Sequence, residues 1–231
     1  ANMTPIWGVE MDPETMQPKT ERIELVHGNW TENGYEVCGE DHCDLPLEDD
    51  ALEAKYREFM QMQGMDPDNL PPQMQGMAIM LKGYVSGRPY IEGAWMTKHA
   101  GKYYLQYACP GAEFNVYADG VYVADAPLGP FHLAENNPFS YKPGGFLPGA
   151  GHGSTMQDRR GQWWHTATMR ISKNHVFERR VGIWPAGFDD VGNLYCNQRY
   201  GDWPYIIEDI EKDPWADPRW YLLSYRAKVA S

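Results

Sequence analysis

Apolar and polar positions alternate between two textures along this chain. From Asp49 to Gln63 the side chains of Leu52, Tyr56, Phe59, Met60 and Gln63 recur at helical spacing, which predicts one helix. Asp49 or Asp50 is placed to cap its start, Gly64 to end it, and Asp66-Pro67 to forbid its continuation. Half of the twelve methionines lie between Met60 and Met80, a run that reads as adaptable packing beside the helix rather than as metal ligands. This segment interrupts a β pattern, so it reads as an insertion over about residues 35–84. From Glu92 onward the texture is strand, turn, strand. Lys102 to Tyr107 follows Ala100-Gly101, Val121 to Val123 follows Asp119-Gly120, Gln162 to Met169 follows Arg159-Arg160-Gly161, and Leu194-Tyr195 follows Asp190-Val191-Gly192-Asn193. Glycine after Asp or Asn marks turns that need positive φ, as hairpins do. Repeated hairpins flanked by tryptophan and tyrosine suit a propeller or a sandwich, and periodicity does not choose between them.

Composition narrows the class. Aromatic residues at 13% with 23 glycines and 18 prolines favour many short strands and tight turns over a helical bundle. A formal net charge of −12 argues against a surface that tracks phosphates, so no nucleic-acid partner is expected. No apolar run approaches the roughly 20 residues of a membrane span. The opening Ala1-Asn2-Met3-Thr4-Pro5 carries no signal-peptide pattern, which leaves location open. The four cysteines form no Cys-x-x-Cys pair, which disfavours a zinc ribbon or a thioredoxin-type site. Cys38 and Cys43 could close a small disulfide loop in an oxidising compartment or remain free, and Cys109 reads as a small buried hydrophobe. Pro5 to Glu10 reads as a strand with nothing before it to pair with, and Trp220 to Tyr225 as an apolar run near the other end. A closed β architecture leaves no such edges, so structure is expected to continue beyond both.

Several motifs in order resemble glycoside hydrolase family 43, the inverting arabinofuranosidase, xylosidase and arabinanase family. Ile91-Glu92-Gly93-Ala94-Trp95-Met96 followed by Gly101 to Leu105 is similar to the family's general-acid strand and the hairpin after it. Val123 to Phe131 resembles the turn after the next hairpin, and Gly151-His152-Gly153-Ser154 the segment that sends a histidine to the propeller axis. Trp164-His165 and Arg179-Arg180-Val181-Gly182-Ile183 resemble the final blade, and Gly8 to Thr15 the strand and turn after the family's second aspartate. The resemblance implies an all-β fold: a five-bladed β-propeller, partial in this chain, with a short helical insertion. Residues 1–205 would form the partial catalytic propeller, and 206–231 an exit segment toward an accessory β-sandwich.

Inverting hydrolysis needs one protonated carboxyl at the leaving oxygen and one carboxylate activating water from the opposite face. The resemblance makes Glu92 the acid, with Ile91 and Trp95 placed to desolvate it; a surface glutamate at a strand start is the blander alternative. It makes His152 an axial residue that helps hold calcium, against a plain histidine in a glycine turn. Trp95, Phe114 and Trp164 are candidate sugar platforms, although most of the nine tryptophans should be core. Arg179, with Arg170 and Arg180, could meet sugar hydroxyls or form structural ion pairs, and His165 could brace the site floor. No aspartate before Glu92 stands in the base motif: Asp12 sits in a surface turn and Asp41, Asp44, Asp49, Asp50, Asp66 and Asp68 in the insertion. The base and the pKa-modulating aspartate are therefore expected upstream of Ala1. The implied substrate is a plant-type polysaccharide or oligosaccharide containing arabinose or xylose, met by a secreted or periplasmic protein. The alternative is a carbohydrate-binding propeller without catalysis, and a pure interaction scaffold would show Glu92 on the surface and no cleft. The insertion is expected to narrow or roof that cleft.

Overall fold

The computed structural model describes residues 5–170 and 178–202. Strands β1 (Ile6–Gly8) and β2 (Ile23–Val26) form an antiparallel pair, so the early strand finds its partner after it. Two helices follow, α1 (Asp49–Met62) and α2 (Gln75–Val85). The first sheet takes β3 (Glu92–His99), β4 (Lys102–Cys109), β5 (Ala118–Ala124) and β6 (His132–Leu133) in that order, and β7 (Ser140–Tyr141) also pairs with β5. The second takes β8 (Gly151–Gln157), β9 (Trp163–Arg170), β10 (Arg179–Phe188) and β11 (Leu194–Cys196) as a simple meander. Each is an up-and-down antiparallel sheet whose first strand faces the other sheet, since β8 packs on β3, β4 and β5.

Burial explains why β4 sits in the middle. Its residues Tyr104 to Cys109 are all buried, so both faces need cover. Leu105, Tyr107 and Cys109 pack with Ile6, Val26 and Ile91, whereas Tyr104 packs with Val121, Phe139 and Leu194. The second sheet has its own core of Ala150, Ala167, Met169, Trp184 and Tyr200.

Several expectations need correcting. Asp119-Gly120 is no turn but the inside of β5, paired with Ala108 and Tyr107. A Cβ at Gly120 would stand 2.6 Å from the Tyr107 ring, so this glycine makes room for an aromatic ring across the ladder. Neither Asp49 nor Asp50 caps α1; Glu48 holds the cap position without a side-chain hydrogen bond, and both aspartates lie in the first turn, where negative charge suits the helix dipole. The methionine-rich run after Asp66 includes α2, a helix the pattern did not predict, in which no residue is buried. Met77 and Met80 stand exposed rather than packed. All four cysteines are free, with the Cys43 thiol donating to the Asp41 carbonyl. The apolar run from Trp220 and the segment 206–231 lie outside the described residues.

Candidate active site

Two breaks in strand register build the site. Glu92 opens β3 opposite Ala108, and regular pairing resumes only at Trp95; β8 shows the same irregularity between Gly151 and Ser154. Bulges bend a strand and re-aim its side chains. These two meet, because a Cβ on Gly93 would lie 2.9 Å from the His152 ring. Both residues are in the left-handed region, Gly93 at φ 63° and His152 at φ 58°. For glycine that conformation is free, whereas for histidine something must hold it.

Asp119 is what holds it. From β5, 1% exposed, it accepts the His152 N–H on Oδ1 at 2.8 Å and the Gly153 N–H on Oδ2 at 2.9 Å. Oδ2 also lies 3.0 Å from Nε2 of the buried His165 on β9. A ladder continues from there. Thr155 gives its single hydroxyl proton to Gln106 Oε1 at 2.8 Å, so its oxygen accepts from His165 Nδ1–H at 3.0 Å. Gln106 Nε2 in turn donates to Thr97 Oγ1 at 2.9 Å. Thr97, Gln106, Asp119, Thr155 and His165 thus link β3, β4, β5, β8 and β9 through buried polar groups that all have partners. Burial raises the Asp119 carboxyl above its ordinary range, opposed by His165 and the two backbone N–H groups.

On the solvent side of this frame stands Glu92, whose side chain is 37% exposed. The Tyr117 hydroxyl donates to its Oε1 at 2.8 Å and lies 3.2 Å from His152 Nδ1, which is 3.6 Å from the same carboxylate oxygen. With its proton given to Glu92, the Tyr117 oxygen accepts from His152. Burial, with Glu92 beside it, pushes the Tyr117 phenol far above its usual range, so it remains a donor at working pH.

The residues nominated from sequence disperse. Glu92 and His152 come together. Trp95 stays beside the bulge, half exposed, its indole donating to the Thr155 carbonyl at 3.1 Å. Ile91 does not cover the carboxylate; it is packed into the core with Tyr107 and Leu105. Phe114, between β4 and β5, lines a separate pocket with Tyr90. Trp164 is 5% exposed, and its register partner Met156 places it toward the end of β8 away from His152. Its indole is committed to Asp158 at 3.0 Å, a bond that leads in holding that carboxyl down to about 2. Such a ring offers no face to a sugar. Arg179 is exposed on β10, two strands beyond β8, opposite an Arg170 that pairs with Glu40 at 2.6 Å. Sequence reasoning missed Tyr117 and Asp119. The available signal was an acidic residue inside the apolar run Val116 to Val123, since a buried charge must be paired.

Among the described residues no group of three or more His, Cys, Asp or Glu side chains is arranged to hold a metal. Of the residues nominated for an axial ion, His152 is the one described, and its Nδ1 already faces Tyr117. Calcium takes 6–8 oxygen ligands, so these residues do not make a calcium site by themselves. Nor is any helix among them long and apolar enough to cross a membrane.

The family model for Glycosyl hydrolases family 43 matches residues 49–192. Among solved structures, a thermostable family-43 glycoside hydrolase aligns with 94% of this chain and 51% of its own, at 19% identity and a TM-score of 0.53. That likeness extends to the fold, an all-β propeller present here in part with a helical insertion. An endo-1,4-beta-xylanase from Bacteroides thetaiotaomicron is 28% identical over 46% of this chain and 37% of its own, with a TM-score of 0.41. An alpha-L-arabinanase from Cellvibrio cellulosa, complexed with arabinohexaose, is 16% identical over 51% of this chain and 40% of its own, with a TM-score of 0.40. The chain therefore spans about half or less of the length of these proteins. No curated protein matches it.

Proposed function

Because this chain belongs to family 43 of the glycosyl hydrolases, we propose that it serves in the hydrolysis of xylan- or arabinan-type glycans, with Glu92 delivering the proton to the leaving oxygen. The observation that carries this reading is the Glu92 carboxyl itself. It is open to solvent at 37%, yet fixed by a buried tyrosine hydroxyl at 2.8 Å beside a clamped histidine. A surface glutamate of no function needs no such frame.

In the proposed mechanism Tyr117 orients the carboxyl, and His152 sets its position through Tyr117 and at 3.6 Å directly. The proton passes from Glu92 to the departing oxygen as the glycosidic bond breaks. A second carboxylate, which we place upstream of this chain, removes a proton from the attacking water on the opposite sugar face. A separation of about 6.5–9.5 Å between the two would leave room for that water and give inversion. A polymeric plant glycan also argues for action outside the cytoplasm, by a secreted or periplasmic protein.

The test is Glu92→Gln in the full-length protein, assayed on aryl α-L-arabinofuranosides and β-D-xylosides. A loss of kcat/KM of about 10²–10⁴-fold, with the thermal midpoint unchanged, is the result expected of a general acid. Equal activity in the variant removes Glu92 from the mechanism. Glycan binding without hydrolysis in the wild type would leave a carbohydrate-binding propeller.

A further inference from the structure

The helical insertion lines a pocket whose wall also includes Tyr90, two residues before Glu92. Helix α2 is apolar in sequence yet buries none of its residues, and on it Met80 and Tyr84 are 77% and 76% exposed. These two side chains do not face open solvent alone. With Phe59 of α1, and with Tyr90, Glu113 and Phe114 from the sheet side, they line a pocket of about 500 Å³. That volume falls within the range of small-ligand sites, about 300–1,000 Å³.

Three features give the pocket a chemistry. Its walls include four aromatic rings, Phe59, Tyr84, Tyr90 and Phe114, beside the charged Asp44, Lys55 and Arg88, and flat aromatic faces stack on apolar faces of other rings. It also holds an unused acceptor: the Glu113 carboxylate has no hydrogen-bond or ion-pair partner among the described residues, although it lines the wall beside Tyr90 and Phe114. Finally, one of its walls is a neighbour of the acid. Tyr90 lies two residues before Glu92, and its phenol, raised chiefly by burial, feels the charges of both Glu113 and Glu92. Aromatic faces combined with a free carboxylate suit a sugar ring, which has an apolar face and a rim of hydroxyl donors.

We propose that this pocket is a subsite for the sugar on the leaving side of the scissile bond, stacked on Tyr84 and bonded through a hydroxyl to Glu113. The proposal rests on Glu92 being the acid, because a proton donor stands at the junction with the leaving group and Tyr90 of the pocket wall is two residues from it. It assigns the insertion a role in substrate choice: chains with a sugar in that position are held, and small leaving groups are not.

The experiment is calorimetric titration of the full-length Glu92→Gln protein with xylotriose and with arabinotriose, alone and combined with Tyr84→Ala or Glu113→Gln. Tyr84 is exposed, so its truncation leaves the fold intact, as circular dichroism would confirm. One trisaccharide should bind, and each second substitution should weaken it about tenfold while binding of the free monosaccharide is unchanged. Equal trisaccharide affinity with and without Tyr84→Ala, or no trisaccharide binding at all, overturns the proposal. If Glu92→Gln keeps full hydrolytic activity while Tyr84→Ala still weakens binding, the pocket stands and the assignment of the acid falls.

Discussion

Replacing Asp119 by Asn should cost far more than its single lost charge suggests. The carboxylate accepts from His152 N at 2.8 Å and from Gly153 N at 2.9 Å, and its Oδ2 lies 3.0 Å from His165 Nε2, all without access to water. An amide retains one oxygen and turns an NH2 toward at least one of those donors. Breaking a buried pair by removing one partner costs about 3–5 kcal/mol. For a chain of this length each kcal/mol moves the melting midpoint by about 2–4 °C, so Asp119→Asn should lower it by roughly 6–20 °C. Scanning calorimetry reads that directly. A cycle with His165→Asn then separates the contributions: the double variant should lose less than the sum of the singles, by about 1–3 kcal/mol. The same variant also frees the His152 backbone from its left-handed conformation, so glycoside hydrolysis should fall in the fraction that remains folded. A loss under about 0.5 kcal/mol, typical of surface sites, or strict additivity with His165→Asn, would refute the clamp.

Gly93→Ala puts a Cβ 2.9 Å from the His152 ring at a φ of 63°. Left-handed backbone alone costs an L-residue about 1–2 kcal/mol. Urea unfolding should show that loss, with hydrolysis falling further because His152 is displaced; full activity would contradict the contact. Glu36 is fully buried, with Tyr107, Asn33 and the Asn29 N–H donating to its carboxylate, and burial raises its pKa. The folded state thus keeps this proton longer than the unfolded chain does. Its stabilising contribution is complete below about pH 4.3 and is lost as pH rises through the folded value. Urea midpoints across pH 4–8 should therefore show the wild type losing stability relative to Glu36→Gln, and the opposite slope would reverse the sign.

What the sequence disclosed depended on whether the signal was local. The helix α1 was legible because its apolar spacing and Gly64 are both local features; α2 was not, since Gly76 and Gly83 lie within it and Met74 precedes it without a polar cap. Glu92 and His152 could be picked out because the motifs around them, Ile91 to Met96 and Gly151 to Ser154, resemble those of family 43. Asp119 was misread because Asp-Gly is the commonest turn signal, whereas here the glycine answers to Tyr107 on the neighbouring strand. Trp164 shows the reverse error. An aromatic residue near a strand end resembled a platform, but the Asp158 turn that takes its indole decides otherwise. The first mistake concerns a partner on the neighbouring strand, which no local pattern encodes, whereas the second concerns an acceptor six residues back across a turn.

The buried polar ladder poses an energetic question, since an apolar core of equal volume could hold two sheets together as well or better. Its value must lie in what apolar groups cannot do. His152 and Gly153 present two adjacent N–H groups at a bulge, where no strand partner accepts them. Left unpaired and buried, each would cost about 1–3 kcal/mol, and the backbone would relax toward regular pairing. A one-residue relaxation of a strand turns its side chains to the other face, which would carry His152 away from Tyr117 and Glu92. Only an acceptor with two oxygens, itself braced, prevents this. Asp119 supplies the oxygens, and His165, Thr155, Gln106 and Thr97 extend the bracing to β3, the strand that bears Glu92. The two halves of the site come from different sheets, and the ladder fixes their spacing.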